Sequence, residues 1–422
     1  MRKSLLLAAG LLLCSLASAQ LKVVSPKMHG IDPSHLDRID TLVVRNIHSG
    51  NIPGAVVAVV HGGDIVYLKA FGDKQVVPER IPMTTETMFD LASVSKCVGT
   101  TLAAMQLIER GEIRPKDEVR YFFPEFRPWI DPETGEKVHI TIQDLMSHSS
   151  GLSPYIDVTA FVNRFGENQP DSLMRFIATE VKRNFRPRTE FMYSCLNYIT
   201  LQHIIQQVSG RPLNEYVEEN IFQPLGLEHT CYFPLGADLR TPAAHQDLIP
   251  LCAPTEVQAD GLPLVAAVHD PIARRINAGV SGNAGVFSNA EDLAVICQMI
   301  LNRGTRPVKI AMKSDPSLLM PATVRMMCTI PKENDPKVGR ALGWDKKSDH
   351  SGLKGDYFNP DMTIEHTGYT GTSVLINFES RTALIILTNR VHPNDDGAVG
   401  RMRAQIANVV AALTLPEFYK VF

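Results

Sequence analysis

Ser93-Val94-Ser95-Lys96 stands directly after Met88-Phe89-Asp90-Leu91-Ala92 and directly before an apolar-periodic stretch from Val98 to Glu109. If a helix begins near Ser93, residues three apart share a face, which brings the Lys96 amine against the Ser93 hydroxyl. An amine kept neutral by burial takes the hydroxyl proton and turns the serine into a nucleophile. The first-turn N–H groups have no intrahelical partner and face the negative charge that develops on an attacked carbonyl. Ser-x-x-Lys is a short pattern, and a second copy occurs at Ser351-Gly352-Leu353-Lys354. That copy lies in a polar, glycine-containing stretch that opens no apolar helix, and it reads as a surface loop.

Three further segments carry chemistry-bearing side chains. Thr141 to Leu152 starts with a helix N-cap and ends in the polar turn Ser147-His148-Ser149-Ser150-Gly151-Leu152. Arg188 to Tyr198 leads with the Tyr193 hydroxyl into a helix, and Glu365-His366-Thr367-Gly368-Tyr369-Thr370-Gly371-Thr372 immediately precedes an apolar strand. Taken singly, each has a plainer reading. Tyr193 suits packing at a helix start, His148 suits a turn fixed by hydrogen bonds, and Trp344 suits a core or cleft wall. His269-Asp270 invites a triad with Ser93, but also reads as a structural loop feature.

Taken in order, these segments resemble the serine β-lactamase and penicillin-binding protein superfamily, in the branch holding class C β-lactamases, D-Ala-D-Ala peptidases, D-aminopeptidases and related esterases. The resemblance spans most of the chain. It rests on Ser93/Lys96, the Tyr-Ser-x motif at Tyr193 and a His-Thr-Gly at His366 where lactamases usually carry Lys-Thr-Gly. Pro224-Leu225-Gly226-Leu227, Ala253-Pro254-Thr255-Glu256, Val268-His269-Asp270, Gly282 to Ser288 and Leu342-Gly343-Trp344 support it. The resemblance implies an acyl-enzyme at Ser93, with Lys96 and Tyr193 moving its proton. It implies an oxyanion hole from the backbone N–H groups of Ser93 and Tyr369, and substrate contacts from His366, Thr367, Gly368 and Cys195. Cys195 is a departure, because the family usually has asparagine there and a thiol hydrogen-bonds poorly. Asn197 would point elsewhere on the helix. With His366 replacing lysine, this argues against an efficient β-lactamase. The expected activity is hydrolysis of a cell-wall peptide or a small ester or amide. A true β-lactamase and a non-catalytic penicillin-binding sensor are the alternatives.

The elements that must hold these groups are strand-rich at both ends of the chain. Gly54 to Val60 and Asp64 to Ala70 read as a hairpin turning at His61-Gly62-Gly63, after a helix over Ile39–Ile47. Ser373 to Phe378 and Thr382 to Thr388 form a second β pair, and a helix from about Gly400 to Leu413 follows. Helical periodicity dominates between them, over Ile142–Met146, Asp171–Val181, Tyr198–Val208, Leu213–Asn220 and Ala290–Leu301. The fold class expected is α+β: one antiparallel sheet from both chain ends, flanked by helices, with a mostly helical inserted region, the β-lactamase/transpeptidase-like arrangement. Residues 20–422 would form one hydrolase domain, its α/β part about 20–92 and 340–422 and its helical part about 93–339. Loop-like stretches near 125–139, 232–276 and 304–318 would border the cleft.

Arg2 and Lys3, the apolar run Leu5 to Leu13 and Ala17-Ser18-Ala19 form the three parts of an export signal over residues 1–19, giving a periplasmic or extracellular protein. A lipid anchor at Cys14 competes, but Leu13 precedes it where a small residue is expected. Beyond the signal no run approaches a membrane span, and a net charge of −3 without a basic stripe gives no footprint for nucleic acid. The remaining cysteines, Cys97, Cys195, Cys231, Cys252, Cys297 and Cys328, are widely spaced and read as single buried residues. Cys231 with Cys252 is the one pairing to consider. The 13 histidines show no ligand spacing, so neither metal nor cofactor is expected. The partner is a small-molecule or cell-wall peptide substrate, and oligomeric state stays open.

Overall fold

The computed structural model describes residues 21–307 and 317–415. The expected export signal and part of the 304–318 loop lie outside them.

Gly54–His61 (β1) and Asp64–Gln75 (β2) form the expected hairpin, and Ile81–Pro82 (β3) adds to the outer edge of β2. From the other end of the chain, Thr363–Thr367 (β4), Ser373–Asn377 (β5) and Thr382–Thr388 (β6) complete a six-stranded sheet in the order β3-β2-β1-β6-β5-β4. All neighbours run antiparallel, and the two halves join where Ala55 faces Thr388 and His61 faces Thr382. The fold is α+β, as the two strand-rich ends implied.

Why β1 is a continuous apolar run follows from its two covered faces. Val56, Ala58 and Val60 pack with Leu102 and Leu293 in the larger core, while Ala55, Val57 and Val59 pack with Leu36, Ile39, Ile406 and Val410 in a second core. Side chains alternate across a strand, so covering both faces removes the polar alternation of a half-exposed strand. The second core is supplied by Pro33–His48 (α1) and Gly400–Thr414 (α2), which pack against each other. Asp32 caps α1 by accepting from the Ser34 N–H, and Leu36, Ile39 and Val43 form its inward stripe.

The inserted region is mostly helical, with Leu196–Ile205 of the helix Cys195–Ser209 and nearly all of Ala290–Leu301 buried, but it is not purely so. Phe89–Asp90, Val286–Ser288 and Cys231–Tyr232 make a small second sheet, and Trp129–Ile130 pairs with Lys137–Val138 inside a stretch expected as loop. All six cysteines among the described residues are free, so the Cys231–Cys252 pairing does not form. Both instead pack beside Phe233 and Phe287 as small apolar residues. No helix among the described residues is long and apolar enough to cross a membrane.

Ile39 has no exposed surface and sits between α1 and the sheet. Ile39→Ala therefore lowers unfolding stability by about 2–5 kcal/mol, read as a drop in denaturant midpoint at unchanged slope.

Candidate functional site

Asp90 sets the site's first wall. Its buried carboxylate accepts from the Ala92 N–H at 2.8 Å and from the His269 N–H at 2.7 Å. Ala92 takes a left-handed φ of 46°, which turns the chain sharply into Ser93. A regular helix does not begin there. Ala92–Val94 is a tight 3-10 turn, Lys96–Thr101 is a wider π-type turn, and α-helix resumes only at Leu102. Ser93 and Lys96 still meet, with Lys96 Nζ donating to Ser93 Oγ at 3.0 Å. The same ammonium donates to the Asn283 carbonyl at 2.8 Å and reaches Cys195 Sγ at 3.7 Å.

Tyr193 comes from the approach to the helix that starts at Cys195. The turn at His148, itself at φ 54°, holds that approach from both sides. Its carbonyl accepts from the Met192 N–H at 3.0 Å, and its Nδ1 accepts from the Ser194 N–H at 3.1 Å. The imidazole lies 4.3 Å from the Tyr193 ring, while Lys96 Nζ sits 5.1 Å from the ring's centre. Tyr193 Oη is buried beside Ser93 and Lys96, near enough for both to act on it, but makes no hydrogen bond of ordinary geometry among the described residues. His148 thus fixes its turn, as expected, and also the phenol. Asn197 bonds Ser150 and His148, away from the cleft.

Opposite, β4 and the turn after it form the third wall. Thr372 Oγ1 donates to the Leu91 carbonyl at 2.9 Å and Thr370 Oγ1 to the Asp90 carbonyl at 2.7 Å, stitching the turn to the Ser93 segment. A Cβ at Gly368 would stand 2.3 Å from the Leu91 oxygen, so this close approach demands glycine. Neither the Ser93 nor the Tyr369 N–H makes a hydrogen bond among the described residues. Ser93, Tyr193, Arg340, His366, Thr367 and Tyr369 all border one cleft of about 310 Å³.

Charge in the cleft departs from the sequence reading. Burial is the largest influence on Lys96 and pulls its amine down, but the Cys195 thiol, the Tyr193 phenol and Asp270 together outweigh it. On balance its surroundings push the Lys96 amine upward from the ordinary lysine value, where the sequence reading needed burial to lower it. Burial raises the Tyr193 phenol, with Lys96 pulling the other way, and raises the Cys195 thiol in the same manner. His366 does not stand in for a cationic lysine. Burial, then Arg340 and Lys96, hold it well below the usual histidine value, and its Nδ1 lies 2.9 Å from the Thr367 carbonyl.

Elsewhere, Ser351-x-x-Lys354 is not the surface loop its composition suggested. Lys354 is buried and pairs with Glu365 at 3.3 Å, and Ser351 Oγ donates to the same carboxylate at 2.7 Å. The acid on β4 draws the loop inward and pairs with its amine. His269 pairs with Glu256 at 3.1 Å and Asp270 caps a short helix through the Ala273 N–H, so neither hydrogen-bonds Ser93. Trp344 is core. Arg340 and Arg403 line the cleft unforeseen, since a lone arginine in sequence carries no mark of burial.

The sequence model of the Beta-lactamase family matches residues 39–409. The chain is 30% identical over 405 residues to a putative D-alanyl-D-alanine carboxypeptidase of Escherichia coli, covering 90% of this chain and 88% of that one. It is 28% identical over 386 residues to an N-acetylmuramyl-L-alanine amidase of Bacillus subtilis, covering 88% and 84%. Among solved structures it is similar to EstCE1, a hydrolase with promiscuous acyltransferase activity, at a TM-score of 0.67 and 24% identity over 90% of this chain and 99% of that one.

The hydrogen bonds assign opposite tautomers to the histidine behind Tyr193 and the histidine on β4: Nε2–H for His148, whose Nδ1 accepts, and Nδ1–H for His366, whose Nδ1 donates. Nitrogen NMR should find both neutral at pH 5. Unfolded histidines take up protons below about pH 6.5, so their folded-state depression contributes stability above that pH that is lost as pH falls. Titration of either between pH 7 and 5 would contradict the assignment.

Proposed function

Because this chain belongs to the β-lactamase family, within the superfamily of serine β-lactamases and penicillin-binding proteins, we propose that it is a serine hydrolase that forms an acyl-enzyme at Ser93. The observation that carries this reading is Lys96 Nζ 3.0 Å from Ser93 Oγ, with the buried Tyr193 Oη beside them both and two free backbone N–H groups. Ser93 Oγ attacks the substrate carbonyl, and the N–H groups of Ser93 and Tyr369 take the oxyanion. An ammonium cannot accept the Ser93 proton, so Lys96 and Tyr193 work as a pair that has lost one proton in all. The pair receives the serine proton and hands it to the leaving group, and water then releases the acyl group by the reverse path. Thr367, exposed at the end of β4, and Gly368 line the substrate's edge.

We read the substrate as an amide bond of a cell-wall peptide, in keeping with the D-alanyl-D-alanine and N-acetylmuramyl-L-alanine in the names of the two curated relatives, and the protein as exported by its first 19 residues. Cys195 favours a second reading, hydrolysis of small esters. Its thiol faces Lys96 at 3.7 Å and offers a substrate amide little.

Incubation with activated esters, D-amino-acid peptides and β-lactams, followed by intact-mass measurement, tests the reading. An acyl adduct is expected on Ser93, and Ser93→Ala should fold normally and lose at least about 10³-fold in hydrolysis. Full activity in that variant, or an adduct on Ser351, would sink it. Because the resting pair carries one proton too many, kcat/KM should climb as pH rises above neutral, and this limb should vanish in Lys96→Ala. Cys195→Asn should raise kcat/KM for an amide more than for its matched ester. An equal effect on both makes Cys195 a packing residue.

A further inference from the structure

A charge account of the cleft leaves one cation over besides the Lys96 ammonium, whose partners are Ser93, Cys195 and the Asn283 carbonyl. Arg340 pairs with Asp345 at 3.0 Å, Lys354 with Glu365 at 3.3 Å and Arg390 with Asp395 at 2.7 Å. Arg403, which lines the same cleft, is buried and has no carboxylate partner among the described residues. It stands in the first turn of α2, where the helix dipole disfavours a positive charge. Burial, with Arg390 adding to it, pulls its guanidinium down to about 9. A buried cation at the wrong end of a helix is costly, and apolar packing of α2 onto the sheet would not require it.

Its contacts say what it does there. Arg403 Nη2 donates to the Thr372 carbonyl at 2.8 Å and faces the Gly368 carbonyl at 3.5 Å, while Nε is buried without a partner. Thr372 O also accepts from the Gly368 N–H at 2.7 Å, so the guanidinium closes both ends of the turn that carries Tyr369. The Gly368 carbonyl belongs to the same peptide group as the Tyr369 N–H. That oxygen also accepts from the Gly371 N–H at 3.1 Å within the turn; a cation facing it as well adds to the hold on the peptide plane, and it polarises the group so that its N–H becomes a stronger donor. We propose that Arg403 is a positioning residue that orients and polarises the Gly368–Tyr369 peptide group, aiming the Tyr369 N–H at the carbonyl oxygen attacked by Ser93. It acts through that peptide and touches neither nucleophile nor proton carriers.

This rests on the Ser93 reading. Loss of a direct oxyanion donor costs roughly 10²–10³-fold in kcat, and Arg403→Gln, which only loosens one, should cost about tenfold to a hundredfold. KM should stay within about threefold. Affinity for an arylboronic acid, whose tetrahedral adduct on a serine mimics the oxyanion, should fall in step with kcat. Arg403→Lys keeps the charge but not the fork and should lie between wild type and Arg403→Gln. Rates are compared per folded molecule, from thermal unfolding of each variant. The proposal is overturned if kcat and boronate affinity hold, or if KM alone rises, which would mark an anion-binding residue. It is also overturned if both variants fail to fold, which would make Arg403 a fold residue. A wild type that hydrolyses nothing, or a Ser93→Ala that stays active, removes the Ser93 reading instead, whatever the Arg403 variants do.

Discussion

The ammonium of Lys96 has no exposed surface, and the interior has to supply everything that water would have given it. A buried charge without partners is costly by several kcal/mol. The partners come from separate parts of the chain: Ser93 from the turn after Asp90, Asn283 from the loop before Val286–Ser288, and Cys195 from the head of a buried helix. Satisfying one amine therefore pins three segments to each other. The small second sheet does the same with backbone, since Phe89 faces Ser288 and Asp90 faces Phe287. Ser95 Oγ then accepts from the Val286 N–H at 3.0 Å. Only with this knot tied does the β4 turn find Leu91 and Asp90 at the right height to close the cleft.

Arrangement of the knot explains why the helix after Ser93 is irregular. An ideal α-helix starting there would carry Lys96 along a fixed rise, whereas the tight turn followed by the wide one lets Nζ meet a serine behind it and a carbonyl across from it. Gly99 leaves room for the Tyr232 hydroxyl, 3.3 Å from where its Cβ would stand. Regularity has been given up where side chains from three elements must converge.

Much of the fold was legible because β1 and β6 are apolar runs of strand length with turn residues between their partners, and because α1 and α2 carry clear caps or stripes. Ser93, Lys96, Tyr193 and the His366 turn were legible as an ordered set of motifs, and the structure brings them to one cleft. What the sequence hid was protonation. His366 reads only as a departure from the usual lysine until burial and Arg340 are seen to hold it down, and Lys96 looks like a candidate neutral amine until its neighbours Cys195, Tyr193 and Asp270 are counted. Ser351-x-x-Lys354 looked like an exposed loop because nothing local announces Glu365, eleven residues on from Lys354, as its ion-pair partner. Arg403 was hidden for the same reason: a helix arginine reads as surface until the fold is closed.

The pairing of β1 with β6 also dictates when the molecule can finish folding. During synthesis β1 and β2 emerge early as a hairpin with apolar side chains on both faces of β1, yet the strand that belongs beside Ala55–His61 is more than three hundred residues away. Until Thr382–Thr388 is available, the inner edge of β1 is an open row of backbone donors and acceptors beside bare valines, the kind of edge that recruits other chains. The sheet closes late and over a long loop, so the order of events rewards a chain kept apart from its copies until its last strand is free. The two-sided burial that makes the finished sheet a rigid floor for the cleft is, in the half-made chain, its main exposure to aggregation.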